Sequence, residues 1–453
     1  MNQDVFKTYS IPRAIITLAV PTIATSLVVI LYNLLAIFFI GQTGDSNQIA
    51  SIAITGPVFL LYIALGNLFG IGGSTYIARL LGRQQLDEVK YVSSFCCYAS
   101  IIVGALLSLL FITQMPTLLR LIGSSENTAP FASRYLYYLS LGGPFIVLTG
   151  TFGNILRGEG AARVALVGMI GGLFCNTLLM PVMIFTLQMG VVGAAVSSVI
   201  GNIITNLIYL YYLIYCKGTT LSVSHHHFTL RRTIWQPILS VGMPAAFTGI
   251  LMSASNIIMN LILVDYGDAA IAAMGIASRA DMPVVMLQMG LGMGTQPLIA
   301  YAFGARDFVK MRKIVHYAMK LNILIGVVLT GIYLVFSSSI IGLFINDPVI
   351  IGYGTIMLNA LMCSGPFIGA MFILNFTFQA IGRGLPSLIL SVSRQGFIYL
   401  PIVIFGNIWF GLSGIIYAQP IADIAAFLLA VIMFKRIRQA LLPHQPVTPT
   451  TSK

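Results

Sequence analysis

Two aspartates lie within apolar stretches that are long enough to cross a lipid bilayer. Asp281 interrupts the stretch IASRADMPVVMLQMG, and Asp423 ends the stretch AQPIAD. Ionisable groups at bilayer depth are costly and are functional candidates by default. In a low-dielectric cleft, desolvation and a nearby arginine act on the pKa of a carboxyl group in opposite directions, which suits reversible binding of a proton or sodium ion. We therefore predict that both acids couple an ion, with a structural salt bridge as the alternative for each.

Arginines also occur within the apolar stretches. Arg279 is two positions from Asp281, about 200° around a helix of about 3.6 residues per turn, so the two do not pair within one helix. We assign Arg279 to the ion-coupling set and expect its partner to be Asp423 or a neighbouring helix. Arg394 is another possible partner for Asp423, and Gln419 lies one turn before Asp423 on the same face.

Amides and methionines supply the candidate cargo-binding surface. Gln288 lies on the same helix face as Asp281, and methionine offers polarizable, adaptable contacts. Amides at such depth often only bridge helices, which is the alternative for each of them. The predicted substrate-binding residues are Asn33, Asn176, Asn202, Asn256, Asn260, Gln288, Met286 and Met289. We predict no catalytic residue and no metal site.

The composition is that of a polytopic membrane protein. Of 453 residues, 58% are hydrophobic and 8% are charged, with a mean hydropathy of +0.94, whereas a soluble domain carries roughly 25% charged residues. Apolar runs of the length of a spanning helix, about 20 residues, predict an all-α integral membrane protein with twelve transmembrane helices. The predicted spans are residues 14–40, 50–80, 91–115, 132–157, 162–186, 190–216, 237–265, 270–302, 314–338, 352–381, 386–410 and 412–434.

Basic residues are distributed very unevenly between the two sides of this arrangement. Of the 24 Lys and Arg, 19 fall in the tails or in the loops and adjoining span ends on their side, three lie deeper within spans, and the opposite side holds Arg120 and Arg134. The positive-inside rule then predicts both termini in the cytoplasm, in a multi-pass protein of the cell (inner) membrane. The net charge of +12 is a topology signal that favours contact with membrane lipids and argues against nucleic-acid binding.

The chain repeats itself at a nearly constant offset. At a shift of 222 residues, Gly143-Pro144-Phe145 falls on Gly365-Pro366-Phe367, and Gly82 falls on Gly304. The predicted organisation is an N-terminal six-helix lobe (1–216), a cytoplasmic linker (217–236), a C-terminal six-helix lobe (237–438) and a cytoplasmic tail (439–453). Because six is even, the lobes are related by a pseudo-two-fold axis along the membrane normal, and a cleft between them allows alternating access.

This ordered set of features resembles the multidrug and toxic compound extrusion (MATE) family. The resemblance runs from about Ile11 to Arg438 and includes GIGGSTYIARLLG, GMGTQPLIAYAFGA, the two GPF triplets and AQPIAD. It implies a secondary active antiporter that exports amphipathic, often cationic, organic compounds such as drugs, dyes and toxins in exchange for H⁺ or Na⁺. No other cofactor is implied, the partners are small organic molecules, and we expect a monomer.

The first lobe departs from the family pattern. Many bacterial members resemble YNLVDTIFIG in span one and NxxxDP in span five, whereas this chain has YNLLAIFFIG and NTLLMP, with Ala36 and Met180 at the acidic positions. Coupling through first-lobe acids is therefore not carried over, and the second lobe becomes the predicted site. The alternatives are a flippase or exporter of a different cargo, lipid-linked or a metabolite, on the same architecture. An intramembrane enzyme is disfavoured because no nucleophile–base or metal constellation lies at depth.

Overall fold

The computed structural model describes residues 4–216 and 218–441, and 87% of it is helix, with no strand among these residues. Two π-helical segments, Val182–Thr186 and Ser393–Phe397, interrupt the α-helices. The α-helices are α1 (Asp4–Lys7), α2 (Ile11–Gly41), α3 (Ser46–Gly82), α4 (Leu86–Thr113), α5 (Met115–Leu121), α6 (Ala129–Leu141), α7 (Gly143–Gly158), α8 (Ala162–Pro181), α9 (Val191–Tyr215), α10 (Arg232–Leu263), α11 (Asp268–Gly304), α12 (Phe308–Gly342), α13 (Pro348–Cys363), α14 (Gly365–Ala380), α15 (Gly384–Val392), α16 (Tyr399–Phe410) and α17 (Leu412–Leu441).

The spanning segments are helices because a chain in lipid must satisfy its backbone hydrogen bonds internally. These helices form the predicted two-lobed membrane architecture. Within the described residues, nine helices are long and apolar enough to cross a membrane, and the bent pairs α6–α7 and α13–α14 bring the number to eleven. The predicted seventh span falls on α10, whose last residues and the 3-10 turn that follows form a shorter apolar helical stretch, Ile257–Tyr266. The fold class is thus confirmed, and the number of twelve spans stays a prediction.

Both GPF triplets mark a bend within a predicted span. The axes of α6 and α7 differ by 55°, and those of α13 and α14 by 45°. Pro144 and Pro366 lie in the first turn of the following helix, where the missing N–H of proline leaves no helical bond unmade. The second bend places Ser364 between α13 and α14, from where its hydroxyl reaches Asp423.

The two lobes pack tightly at the end of the bundle where α3 and α11 terminate, which we call the basic end because Arg83 and Arg306 follow these helices. A Cβ atom at Gly82 would collide with the carbonyl oxygen of Tyr301, and one at Gly304 would collide with that of Arg79. Glycine therefore allows the two helix backbones to approach closely. The lobes are closed against each other at the basic end.

The connection between the lobes lies against the first lobe. Ser93 and Ser94 both donate hydrogen bonds to the carbonyl oxygen of Ser222, each at 2.9 Å, and the hydroxyl of Tyr98 donates to that of Val223 at 3.0 Å. The ring of Phe228 also packs against the ring of Tyr98. The segment before α10 is thus held by α4 rather than spanning free space between the lobes.

Candidate functional site

The carboxylate of Asp423 is buried and fully partnered. Its exposed fraction is 2%. Arg394 donates from Nε to Oδ1 at 2.6 Å, and Gln419 donates from Nε2 to the same oxygen at 2.9 Å. Ser364, at the bend between α13 and α14, donates to Oδ2 at 3.0 Å. The charge is therefore neutralised by an arginine, and both oxygens accept hydrogen bonds, as a buried ion pair requires.

The π-helical segment Ser393–Phe397 supplies the arginine of this ion pair. The Arg394 guanidinium carbon also lies 5.5 Å from the ring centre of Phe372 on α14, a cation–π distance. Single π-helical turns within α-helices occur frequently at functional sites. The side chain is held from two directions, so the prediction that Arg394 is an available partner for Asp423 agrees with the structure.

Asp281 has a different environment from Asp423. Its side chain is partly exposed, and in residues 4–216 and 218–441 it takes part in no ion pair and no hydrogen bond. It is close enough to Asp423 and Arg394 to interact electrostatically with both. The preceding carbonyl, that of Ala280, accepts a hydrogen bond from the hydroxyl of Tyr333 at 3.1 Å. Asp281 is thus an acid whose two oxygens are free to take up a ligand.

Arg279 lies apart from this cluster. Its side chain is exposed, and the described part of the chain offers it neither an ion pair nor a hydrogen bond. Of the alternatives considered for Asp423, the structure selects Arg394 rather than Arg279. Of the two alternatives for the partner of Arg279, Asp423 is excluded because Arg394 already occupies its carboxylate. A coupling role for Arg279 stays a prediction.

Gln288 is on the predicted buried face of α11 but is used within the second lobe. It is fully buried, and its Nε2 donates to the carbonyl oxygen of Gly365 at 2.8 Å. The backbone carbonyl oxygen of Gln288 accepts a hydrogen bond from Asn322 Nδ2 at 3.1 Å. These bonds tie α11 to α12 and α14. Gln288 is not among the residues that line the cavity described next, so contact with cargo stays a prediction without geometric support.

A cavity of about 320 Å³ lies in the first lobe and is bounded by the second lobe at α11. Three methionines of α11, Met286, Met289 and Met293, form its second-lobe wall. Its first-lobe residues come from α2, α3, α7, α8 and α9, and they are mostly apolar or uncharged polar side chains. The polar and charged side chains among them are Thr25, Ser26, Asn67, Thr149, Asn154, Arg157, Asn202, Thr205 and Tyr209.

The predicted cargo residues are divided among several environments. Asn202, Met286 and Met289 line the cavity. Asn176 is buried on α8 beside it, and its Oδ1 has no hydrogen-bond partner in the part of the chain that the structure describes. The side chains of three further predicted residues, Asn33, Asn256 and Asn260, lie outside the described residues.

Positions 36 and 180 of the first lobe, where the family pattern has an acid, hold apolar residues in this chain. Met180 is 1% exposed and packs with Ile40, Ile184 and Val191 in a hydrophobic cluster. The side chain of Ala36 lies outside the described residues. A carboxylate at position 180 would be surrounded by hydrocarbon, so this part of the first lobe does not offer a substitute ion site.

Sequence reasoning missed two charged residues, which it placed with the loops and span ends. Arg157 lines the cavity from the last turn of α7, four residues after Gly153 on the same helix face. Glu159, in the turn that follows, is 1% exposed and accepts hydrogen bonds from the hydroxyls of Thr219 and Thr220 at 2.9 and 3.0 Å. The only sequence signal that Arg157 lines a cavity is its position four residues after Gly153 on the same helix face. No local sequence signal indicates that Glu159 is buried.

Comparison with known proteins gives one consistent family. The family model MatE matches residues 21–182 and again residues 244–405. The multidrug export protein MepA of Staphylococcus saprophyticus is 34% identical over 436 residues, which cover 96% of each chain. MepA of Staphylococcus aureus (strain NCTC 8325 / PS 47) is 32% identical over 429 residues, covering 95% of this chain and 94% of its own.

A solved structure has the same architecture. It is described as the outward-facing conformation of a multidrug resistance MATE family transporter of the MOP superfamily. It superposes with a TM-score of 0.91 at 26% identity, and the match covers 97% of this chain and 98% of that chain. The two matched ranges of the family model lie in the two lobes, in agreement with the internal repeat.

Proposed function

The chain belongs to the MatE family of multidrug efflux transporters, and on that premise we propose that it is a secondary active antiporter. In this proposal it exports amphipathic organic compounds in exchange for H⁺ or Na⁺ by alternating access. It is a transporter and not an enzyme. The coupling ion enters at Asp281 in the second lobe, and the cargo occupies the cavity of the first lobe.

The difference between the two membrane-depth acids carries this proposal. Arg394 pairs with Asp423 at 2.6 Å, so a coupling ion at Asp423 would first have to displace a buried arginine at considerable cost. Asp281 has no such partner among the described residues. A proton or Na⁺ can bind there without breaking an existing ion pair, and this supports Asp281 as the exchanging group and Asp423 as its fixed neighbour.

The membrane potential adds to the driving force of such an exchange. One positive charge that moves inward gains about 2.3 kcal/mol per 100 mV. Asp281 is 13 positions into α11, counted from Asp268 to Asp281, or about 20 Å at about 1.5 Å per residue. An acid at this depth lies well inside a hydrocarbon core of about 30 Å, so an ion must cross part of the field to reach it.

The packing of the lobes supports alternating access. Their backbones are in close contact at the basic end, where α3 and α11 terminate, while the cavity lies between first-lobe helices and the methionine wall of α11. With the basic end in the cytoplasm, this arrangement corresponds to an outward-facing state. Rocking of the lobes about the cavity would then expose it to the other side.

The proposed cellular setting follows from the charge distribution. We place the protein in the cell (inner) membrane with both termini in the cytoplasm, surrounded by anionic lipid on its basic side, and we expect a monomer. The cationic cargo predicted from the resemblance finds no carboxylate among the residues that line the cavity. The proposed exporter therefore carries amphipathic compounds without a requirement for positive charge.

Transport by Asp281→Asn tests the proposal. Purified protein is reconstituted into liposomes and tested separately with an anionic dye, dansylglycine, and a basic dye, Hoechst 33342. Dye movement is followed first with an imposed proton or sodium gradient and then as dye exchange without one. We expect gradient-driven transport to fall at least about tenfold, while exchange continues because the cavity is intact. Asp268→Asn, an exposed acid at the start of the same helix, is the matched control. Gradient-driven transport by Asp281→Asn at the wild-type rate would refute the proposal.

A further inference from the structure

The first-lobe cavity contains a positive charge and no negative one. All 12 acidic residues of the chain lie in the part that the structure describes, and none of them lines the cavity. Arg157 does line it, at the end where α7 terminates. An organic cation in this space would meet repulsion without a compensating carboxylate, whereas an anion would find a counter-charge.

The hydrogen bonds of Arg157 leave its charge uncompensated. Its Nε donates to the carbonyl oxygen of Gly153 at 2.9 Å, and its Nη2 donates to Asn154 Oδ1 at 3.1 Å. Both acceptors are neutral, and no ion pair of Arg157 occurs within residues 4–216 and 218–441. A guanidinium has five N–H donors, so about three of them remain for a ligand.

The second lobe shows what a compensated arginine looks like in the same protein. Arg394, also in an apolar stretch, has Asp423 at 2.6 Å. Removing the partner of a buried charge is strongly destabilising, so a partly buried arginine without an acid calls for another source of negative charge. For Arg157 the adjoining space is a cavity large enough for an organic molecule, and a bound ligand can supply that charge.

The walls of the cavity match the other part of such a ligand. Met286, Met289 and Met293 face it from α11, and Phe59 and Ile63 face it from α3. Sulfur and aromatic side chains make favourable, adaptable contacts with aromatic rings. The cavity thus combines an apolar wall for a ring system with a guanidinium that favours planar, charge-assisted hydrogen bonds to an acidic group.

We propose that this cavity binds amphipathic organic anions, with the carboxylate or sulfonate at Arg157 and the aromatic body against the methionine wall. The inference deepens the proposed function, since it names the charge class of the cargo and rests on the cavity as the cargo site. It reverses the positive charge that the family resemblance predicts. Arg157 is then a residue that determines specificity rather than a structural cation at a helix end.

Equilibrium binding of three matched fluorescent probes tests the proposal. Dansylglycine carries a carboxylate, its methyl ester is neutral, and dansylcadaverine carries an amine. Each is titrated into the purified full-length chain in detergent without an ion gradient, and the dansyl emission is recorded. We expect dansylglycine to bind about tenfold or more tightly than the ester, the factor that a charge-assisted hydrogen bond of about 1.5–3 kcal/mol provides, and dansylcadaverine to bind most weakly.

Substitutions then assign the preference to Arg157. Arg157→Gln should abolish the advantage of dansylglycine over its ester while changing the affinity for the ester less than about twofold, and Arg157→Lys should retain part of the advantage because it keeps the charge. Arg163→Gln removes an exposed arginine of α8 that does not line the cavity and should leave all three affinities unchanged.

Specific results would overturn the proposal. These are equal wild-type affinities for dansylglycine and its ester, tightest binding of dansylcadaverine, or a loss of dansylglycine and ester binding in equal measure in Arg157→Gln. If Arg157→Gln does not yield folded protein, the wild-type affinity ratio and Arg157→Lys decide the question. Because binding is measured without a gradient, the measured affinities do not depend on whether the transport assay shows ion coupling.

Discussion

Arg394→Gln removes the counter-charge of a carboxylate that has no access to water. Asp423 is 2% exposed and the Arg394 side chain is 12% exposed, so solvent screening offers little relief. After the substitution, the hydrogen bonds from Ser364 and Gln419 to Asp423 remain, but they are made by neutral donors. We expect the second lobe to lose stability because a charge is left buried without a partner.

The size of the effect follows from the burial. Removing one member of a buried ion pair costs about 3–5 kcal/mol, and the two remaining donors favour the lower half of that range. The entropy of unfolding is about 2.1 cal/mol/K per residue, or about 1 kcal/mol/K for a chain of 453 residues. The midpoint of thermal unfolding should therefore fall by about 3–4 °C.

Thermal unfolding of the purified protein in detergent measures this shift. The control is Arg120→Gln, which removes an exposed arginine from the loops on the side opposite to the two termini. The double variant Arg394→Met with Asp423→Leu removes both charges and should recover most of the stability, because an apolar pair is a good substitute for a buried ion pair. An unfolding midpoint of Arg394→Gln within about 1 °C of the control would show that the ion pair with Asp423 does not stabilise the second lobe. Gradient-driven transport by the double variant would show that Asp423 is structural, and its loss would show that Asp423 takes part in coupling.

Two further predictions concern the basic end. Burial raises the pKa of Glu159 above its ordinary value, although hydrogen bonds from Thr219 and Thr220 oppose this. The unfolded chain therefore loses this proton at a lower pH than the folded chain, so stability should fall as pH rises from about 4.5. Unfolding midpoints measured from pH 4 to 8 should show a smaller dependence on pH in Glu159→Gln but not in the exposed control Glu126→Gln, and an unchanged dependence in Glu159→Gln would contradict this prediction. Gly304→Val introduces a clash with the opposite lobe and should lengthen the distance between spin labels on the two lobes at this end, whereas Gly331→Val, which has open space, should not; equal distances in both variants would rule out Gly304 as a closure contact.

Sequence alone was sufficient for the architecture of the protein. Apolar stretches of spanning length have few structural solutions in lipid, so the helices followed from composition. The repeat at a shift of 222 residues fixed the two lobes, and the landmarks Gly143-Pro144 and Gly365-Pro366 coincide with the two bent pairs. These features are local in sequence or repeat at a constant offset, which is why they were predictable.

The surroundings of Asp423 were predicted in part. The i, i+4 spacing of Gln419 and Asp423 is enough to bring their side chains together on one helix, and the structure confirms a hydrogen bond between them. The partner on another helix was left open between Arg279 and Arg394, because a position around a helix axis tells which face a residue occupies and not which helix packs against it. Gln288 illustrates the same limit, since its buried face meets Gly365 rather than the cavity.

The cavity was the least predictable feature. Arg157 and Glu159 were counted with the loops and span ends because they lie at the end of an apolar stretch, where basic and acidic residues are ordinarily exposed. Their burial depends on the approach of α8, α9 and the linker, with Thr220 contributed from a position 61 residues away. Contacts of this kind carry no periodic signal in the sequence, so a charged residue at a helix end cannot be assigned to a cavity from its neighbours alone.

Secondary active antiport is tested by measuring transport with each gradient imposed separately. Wild-type protein in liposomes is given a proton gradient, a sodium gradient or neither, at the same dye concentration, and the initial rate of dye movement is recorded. For a secondary active antiporter, we expect one of the two gradients to drive movement of the dye against its own gradient, and we expect no net movement when that gradient is absent. Equal rates under all three conditions would contradict secondary active antiport.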